Sequence, residues 1–135
     1  MLPVPASAES NSSSGWQFKT SPDTGPHKFA IGVFSAAGYV QRNSNTARAL
    51  NTWYHVAAVY NATTRMLDLY VNGVLDNGVL SGTVPASRTV PSVNVNIGRR
   101  PDDGFYFNGV IDDARVYVRP LTQAEIQAIM SAPLP

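Results

Sequence analysis

The chain has 135 residues, 44% of them hydrophobic and 14% charged, with a formal net charge of +1. That length suits one domain with a real core, and so even a charge balance gives no electrostatic case for nucleic acid or an anionic membrane as partner. With no cysteine, disulfides, thiolate metal sites and thiol catalysis are excluded as well.

Low charge with abundant Asn, Ser, Thr and Gly suits a secreted or cell-surface β-protein, and the lack of disulfides points to a bacterial source. No apolar run approaches the ~18–20 residues of a membrane span, so no membrane insertion is expected. The first residues, Met1 to Gly15, are rich in Pro, Ala and Ser. Ala6-Ser7-Ala8 has the form of a signal-peptidase site, but no basic region and no long apolar stretch accompany it, which reads as a linker. Residues 1–14 are expected to be flexible, 15–131 to form the domain, and 132–135 to be a Pro-rich tail.

Trp16 to Lys19 alternates apolar and polar residues and predicts a short strand. Ser21 to Pro26 is dense in turn formers. Lys28 to Phe34 predicts a second strand with Phe29, Ile31 and Val33 on one face, and Gly38 to Gln41 a third, returning after Ser35-Ala36-Ala37. Arg42 to Ala49 is polar and reads as loop. Trp53 to Tyr60 is apolar on both faces, the pattern of a central covered strand, with Trp53 and His55 in the core. A lone His in such a strand reads as structural, since a catalytic one needs a positioned partner.

The turn Asn61 to Arg65 leads into Met66 to Val71, where Leu67, Leu69 and Val71 should face the core and Met66, Asp68 and Tyr70 should face out or toward a groove. Asn72-Gly73 supplies the positive φ angles of a tight hairpin before Val74-Leu75. Leu80 to Pro91 reads as a long loop. Val93, Val95 and Ile97 predict a strand ended by Gly98, and Arg99 to Gly104 a turn cluster. Phe105 to Val118 predicts a strand, a break at Asn108-Gly109, and a longer strand with Val110, Asp112, Ala114, Val116 and Val118 on one face. The one predicted helix, about 121–130, opens on a capping box from Thr122 to Glu125 and carries the stripe Ile126, Ile129, Met130. The fold class is therefore all-β, a sandwich with one short C-terminal helix.

Three pieces carry a family resemblance: Asn51-Thr52-Trp53-Tyr54-His55-Val56-Ala57 running to Tyr60; Leu69-Tyr70-Val71-Asn72-Gly73; and Asn108 to Tyr117 followed by Leu121-Thr122-x-x-Glu125-Ile126. In this order, with Val95 to Arg99 between them, they resemble the second half of a laminin G-like, concanavalin A-like lectin/glucanase domain. The resemblance covers Asn51 to Met130 well and Trp16 to Gln41 loosely. It implies an antiparallel jelly roll and hosts lectins, adhesion modules and glycosidases alike. The opening strands of such domains, of the type F-D-G-x-x-D-Y-V and A-W-V-K, have no counterpart here. The expectation is bare ladder edges and self-association of the chain through them.

Retaining glycosidases of this fold set two carboxylates on one strand face, in a Glu-x-Asp-x-x-Glu arrangement. This chain has two glutamates, Glu9 in the N-terminal segment and Glu125 in the helix cap. Asp112 and Asp113 point to opposite faces of a strand; Asp113 is expected to pair with Arg115, and Asp112 to lie among core positions holding backbone amides. No enzyme is expected.

The expected function is a non-catalytic carbohydrate-binding or adhesion module, with a purely structural or protein-interaction domain as the alternative and a glycoside hydrolase as a further one. The ligand site is expected at Arg99, Arg100, Asp102, Asp103 and Tyr106, where oxygen ligands and guanidinium donors adjoin aromatic faces. Calcium, common in the family, would be held by Asp23, Asp102 and Asp103. The partner is expected to be a glycan or an extracellular protein.

Overall fold

The computed structural model describes residues 6–7, 14–21, 26–92, 94–100, 105–132 and 134. In chain order these form β1 (Ala6–Ser7), β2 (Trp16–Ser21), β3 (Lys28–Ser35), β4 (Gly38–Ala47), β5 (Val56–Asn61), β6 (Met66–Val71), β7 (Val74–Leu75), β8 (Asn77–Ser81), β9 (Asn96–Ile97) and α1 (Gln123–Ser131). Two antiparallel sheets result, one ordered β8-β4-β3-β2-β1-β9 and the other β5-β6-β7. This is the all-β sandwich with one C-terminal helix that the patterning predicts. Within the segment expected to be loose, Ala6–Ser7 pairs with both β2 and β9.

Period-2 patterning explains most of the core. Phe18, Phe29, Ile31, Val33 and Val40 of the large sheet meet Val56, Leu67, Leu69 and Val71 of the small one, and all are buried. The turns are built as their residues demand. Asn61 Oδ1 accepts from the backbone N–H groups of Thr63 and Thr64, and Asn72 and Gly73 have φ of 51° and 76°, the left-handed pair of a tight hairpin.

Helix α1 starts as the capping box predicts: Thr122 accepts from the Glu125 N–H, while the Glu125 carboxylate accepts from the Thr122 N–H. Arg119 adds a bidentate pair to the same carboxylate at 2.7 and 3.0 Å. Hydrogen bonding from Arg119, then from the Thr122 backbone, holds the Glu125 carboxyl down at about 2. Its stabilising contribution is thus present above the ordinary carboxylate range and is lost as pH falls toward 2. The helix buries Ile126 and docks on the Asn72-Gly73 turn, where the Gln123 and Gln127 amides both donate to the Gly73 carbonyl. Thr122→Ala should cost about 1 kcal/mol, the usual worth of such a cap, read as a lower denaturation midpoint at unchanged slope; no change would mean the helix end is held by its docking alone.

Several expectations are corrected. Arg42 to Ala47 is not loop but the second half of β4. Its inward side chains are polar, so hydropathy hides it: Arg42 donates to the Leu67 and Gly78 carbonyls, and fully buried Ser44 accepts from the Phe29 N–H. Its neighbour β8, with Asn77 and Gly78 at its start, has no apolar run to announce it either.

Trp53 is 52% exposed rather than core, and Tyr70, expected to face out or toward a groove, is buried. β5 is not central, for among the described residues it pairs with β6 alone. Residues 110–118, expected as a long strand, lie in no strand, and Asp113 interrupts the run at φ 55°. Asp112 is exposed, not a core position. Of the strand expected over Val93 to Ile97, only Asn96–Ile97 is found among the described residues, and Val93 lies outside them.

Candidate functional site

Three places bring polar side chains together. The first is the loop that leaves the β9 edge of the large sheet. The Phe107 N–H donates to the Gly98 carbonyl at 2.7 Å and closes the loop at its base; Gly98 takes φ 82° there, a backbone only glycine adopts freely. Inside the loop the Arg100 guanidinium lies 4.7 Å from the Phe105 ring centroid, a cation–π contact. Phe105 and Tyr106 are 68% and 65% exposed. Of the expected ligand residues, Arg99, Arg100 and Tyr106 therefore share one closed loop. Asp102 and Asp103, and Asp23 of the expected calcium set, lie outside the described residues. Among the described residues, no three His, Asp or Glu side chains are grouped to hold a metal.

The second is the outer face of the large sheet, which sequence reasoning missed. Register sets Tyr39, Gln41 and Asn43 of β4 beside Phe34, Gly32 and Ala30 of β3, and these beside Gln17 and Lys19 of β2. Alternation puts all of them on the side away from the core. The Tyr39 ring lies over Gly32, where any Cβ would strike it. Its hydroxyl donates to Gln41 Oε1 at 2.8 Å, and the Gln41 amide donates to Asn43 Oδ1 at 2.8 Å. Lys19 stands 5.5 Å from the Tyr39 centroid, and Phe34 packs on the same ring at 4.6 Å. An aromatic ring, a row of amides and a cation thus cover a floor of small residues. The signal was the alternation Tyr39, Gln41, Asn43, legible only once Arg42 to Ala47 is known to be strand.

The third is around His55, which the sequence reading treats as structural. Its backbone is tied to the Asn72 turn, N–H to Asn72 Oδ1 and carbonyl to the Asn72 N–H. Its ring is buried, and Nδ1 has no hydrogen-bond partner. Nearby, Arg115 and Asp113 form the expected pair, Nε to Oδ1 at 2.7 Å. Burial first, then positive charge including that of Arg115, pushes the His55 pKa below 6.5, with Asp113 opposing. A depressed histidine costs the folded state nothing above its unfolded pKa. Stability should therefore hold above pH 6.5 and fall as pH drops toward the folded value. Chemical denaturation across that range, with His55→Gln as reference, tests this; an equal acid slope in the variant would assign the loss elsewhere.

Glu125 is held by Arg119 and the helix cap, Asp113 is held by Arg115, and Asp112 is exposed. Among the described residues, no helix is long and apolar enough to cross a membrane.

The family model of the concanavalin A-like lectin/glucanases superfamily matches residues 4–127. No curated protein and no solved structure matches the chain.

Proposed function

Since the chain belongs to the concanavalin A-like lectin/glucanase superfamily, we propose that it is a non-catalytic carbohydrate-binding module acting outside the cell, with its ligand on the outer face of the large sheet. The observation that carries this reading is the row of Tyr39, Gln41 and Asn43, hydrogen-bonded in series above Gly32. A saccharide needs a flat apolar surface for its C–H face and amide donors and acceptors for its hydroxyls, and this row offers both within one sheet register. The non-catalytic part rests on the engagement of Glu125 and Asp113 in structural ion pairs.

A second reading places the ligand on the loop of Arg99, Arg100 and Tyr106, where the Arg100–Phe105 stack presents an aromatic face and donors suited to sulfate or carboxylate groups. The calcium proposal, through Asp23, Asp102 and Asp103, belongs to this reading. Calorimetric titration with calcium tests it, and neither heat nor a rise in melting temperature would remove it.

A glycan array on the intact chain, followed by titration of any hit, tests the proposal. Tyr39→Ala should weaken binding about tenfold, the equivalent of one lost stacking and hydrogen-bonding contact, while Tyr106→Ala leaves it unchanged. The reverse pattern moves the site to the loop. A silent array leaves a structural or protein-interaction module as the better account.

A further inference from the structure

The two sheets and the segment before α1 border an open cavity of about 480 Å³. Its floor is apolar, with Phe18, Ile31 and Val33 from the large sheet. Two runs of consecutive residues bound it, 55–60 and 113–121. Side chains alternate along an extended chain, so a cavity touching every successive residue follows the backbone edge and not one side-chain face. Among the described residues neither run has a ladder partner there, since β5 pairs with β6 alone and 110–118 pair with nothing. The buried Nδ1 of His55, without a hydrogen-bond partner, also lies on this wall. The cavity has the form of a slot for one more strand, an apolar floor between unpaired backbone edges.

The same chain carries a segment of the matching kind. Residues 110–118 alternate, and Val110, Val116 and Val118 are each at least 64% exposed, which is costly for three valines in one short run. Two copies of the segment are also self-complementary. In an antiparallel pair centred on Ala114, Asp113 of each copy faces Arg115 of the other, Ile111 faces Tyr117, and Val110 faces Val118. Only Asp112, opposite Val116, gains nothing. Centring the pair one residue either way sets Asp113 against Asp113 or Arg115 against Arg115, like charges directly opposite.

We propose that two copies of this chain exchange segment 110–118, each laying it along the β5 edge of the other about a two-fold axis at Ala114. The order then runs β7-β6-β5, the two segments, and β5-β6-β7 of the second copy, one continuous sheet with no open edge at β5. Each slot is filled by the other copy, so the arrangement closes as a dimer and does not propagate. Asp113 leaves its left-handed conformation, and its ion pair with Arg115 is exchanged for the same pair between copies. The partner is thus a second copy of the chain, bound through a surface separate from the Tyr39 row and adjoining the base of the Arg99 loop, where Ile111 lies beside Gly98.

Charge reversal and a cysteine trap test the exchange. Light scattering on the native chain should give twice the 14.5 kDa chain mass. Asp113→Arg and Arg115→Asp should each be folded and monomeric, because each sets like charges across the axis. Mixed together they should dimerise, since every cross-axis pair is then complementary while neither chain regains its own internal pair. Ala114→Cys places the only thiol on the axis, within the 4.5–5.5 Å that separates paired Cα atoms and within disulfide reach. It should form a disulfide-linked dimer under mild oxidation, and Thr63→Cys in the remote turn should not. A native monomer with a cooperative melt overturns the proposal, as does a mass above the dimer or a folded mixture that stays monomeric. If the charge variants fail to fold, the cysteine pair decides: equal linking of Ala114→Cys and Thr63→Cys also overturns it.

Discussion

Replacing Leu67 by alanine is expected to lower stability by roughly 3 kcal/mol, within the range for truncating a fully buried leucine. Leu67 is 0% exposed and lies in β6, the middle strand of the small sheet, against the floor of the large one. Its backbone is fixed from both sides, by pairing with Tyr60 and by the Arg42 guanidinium on its carbonyl. The site cannot collapse around the missing atoms, so the transfer loss and the cavity add. Met66, one residue away, points to the other face and is 49% exposed. Met66→Ala should stay within about 0.5 kcal/mol of the native chain, as surface substitutions do. Parallel urea titrations compare the two, and similar midpoints would refute the assigned facing of β6.

Gly78→Ala is the second large effect. Gly78 is the second residue of β8, where that strand meets β4, and a Cβ there would stand 2.6 Å from the Ser44 carbonyl oxygen and 2.8 Å from that of Asn43. Both are backbone atoms of a paired strand, so no side chain can swing away, and the ladder itself must part. The Gly78 carbonyl also accepts from Arg42, whose other nitrogen holds Leu67. Parting β8 from β4 therefore disturbs one of the contacts that tie the two sheets. The expected cost is about 3 kcal/mol, the upper end for overpacking, with faster amide exchange along β8. A variant that melts with the native chain and keeps its β8 protection would mean that this approach is looser than described.

Both predictions depend on features of different legibility. The alternation Leu67, Leu69, Val71, the Asn72-Gly73 turn and the Thr122-to-Glu125 box are local signals, and each acts through residues within a few positions of itself. They were readable for that reason. β4 beyond Gln41 and β8 were not. Their inward groups are Arg42, Ser44 and Gly78, and what makes a strand of them is hydrogen bonding to Leu67, Phe29 and Gly78 from far along the chain. The candidate site divides in the same way. The loop of Arg99, Arg100 and Tyr106 announces itself by composition, whereas Tyr39, Gln41 and Asn43 become a row only through the register of β4 on β3.

The strand expected over residues 110–118 shows the opposite error. Its period is correct for a strand, but a strand exists only where a neighbour supplies hydrogen bonds, and Asp113 turns the chain away where none is described.

By itself the sequence determined the two-sheet class, the family, the hairpins and the capped helix, because alternation, turn chemistry and capping are set by neighbouring residues. Which strands lie at edges, which polar side chains face inward, and where an apolar slot is left beside β5 were decided only by the tertiary structure. Those outcomes depend on partners tens of residues away, and no short stretch of sequence encodes a partner's position.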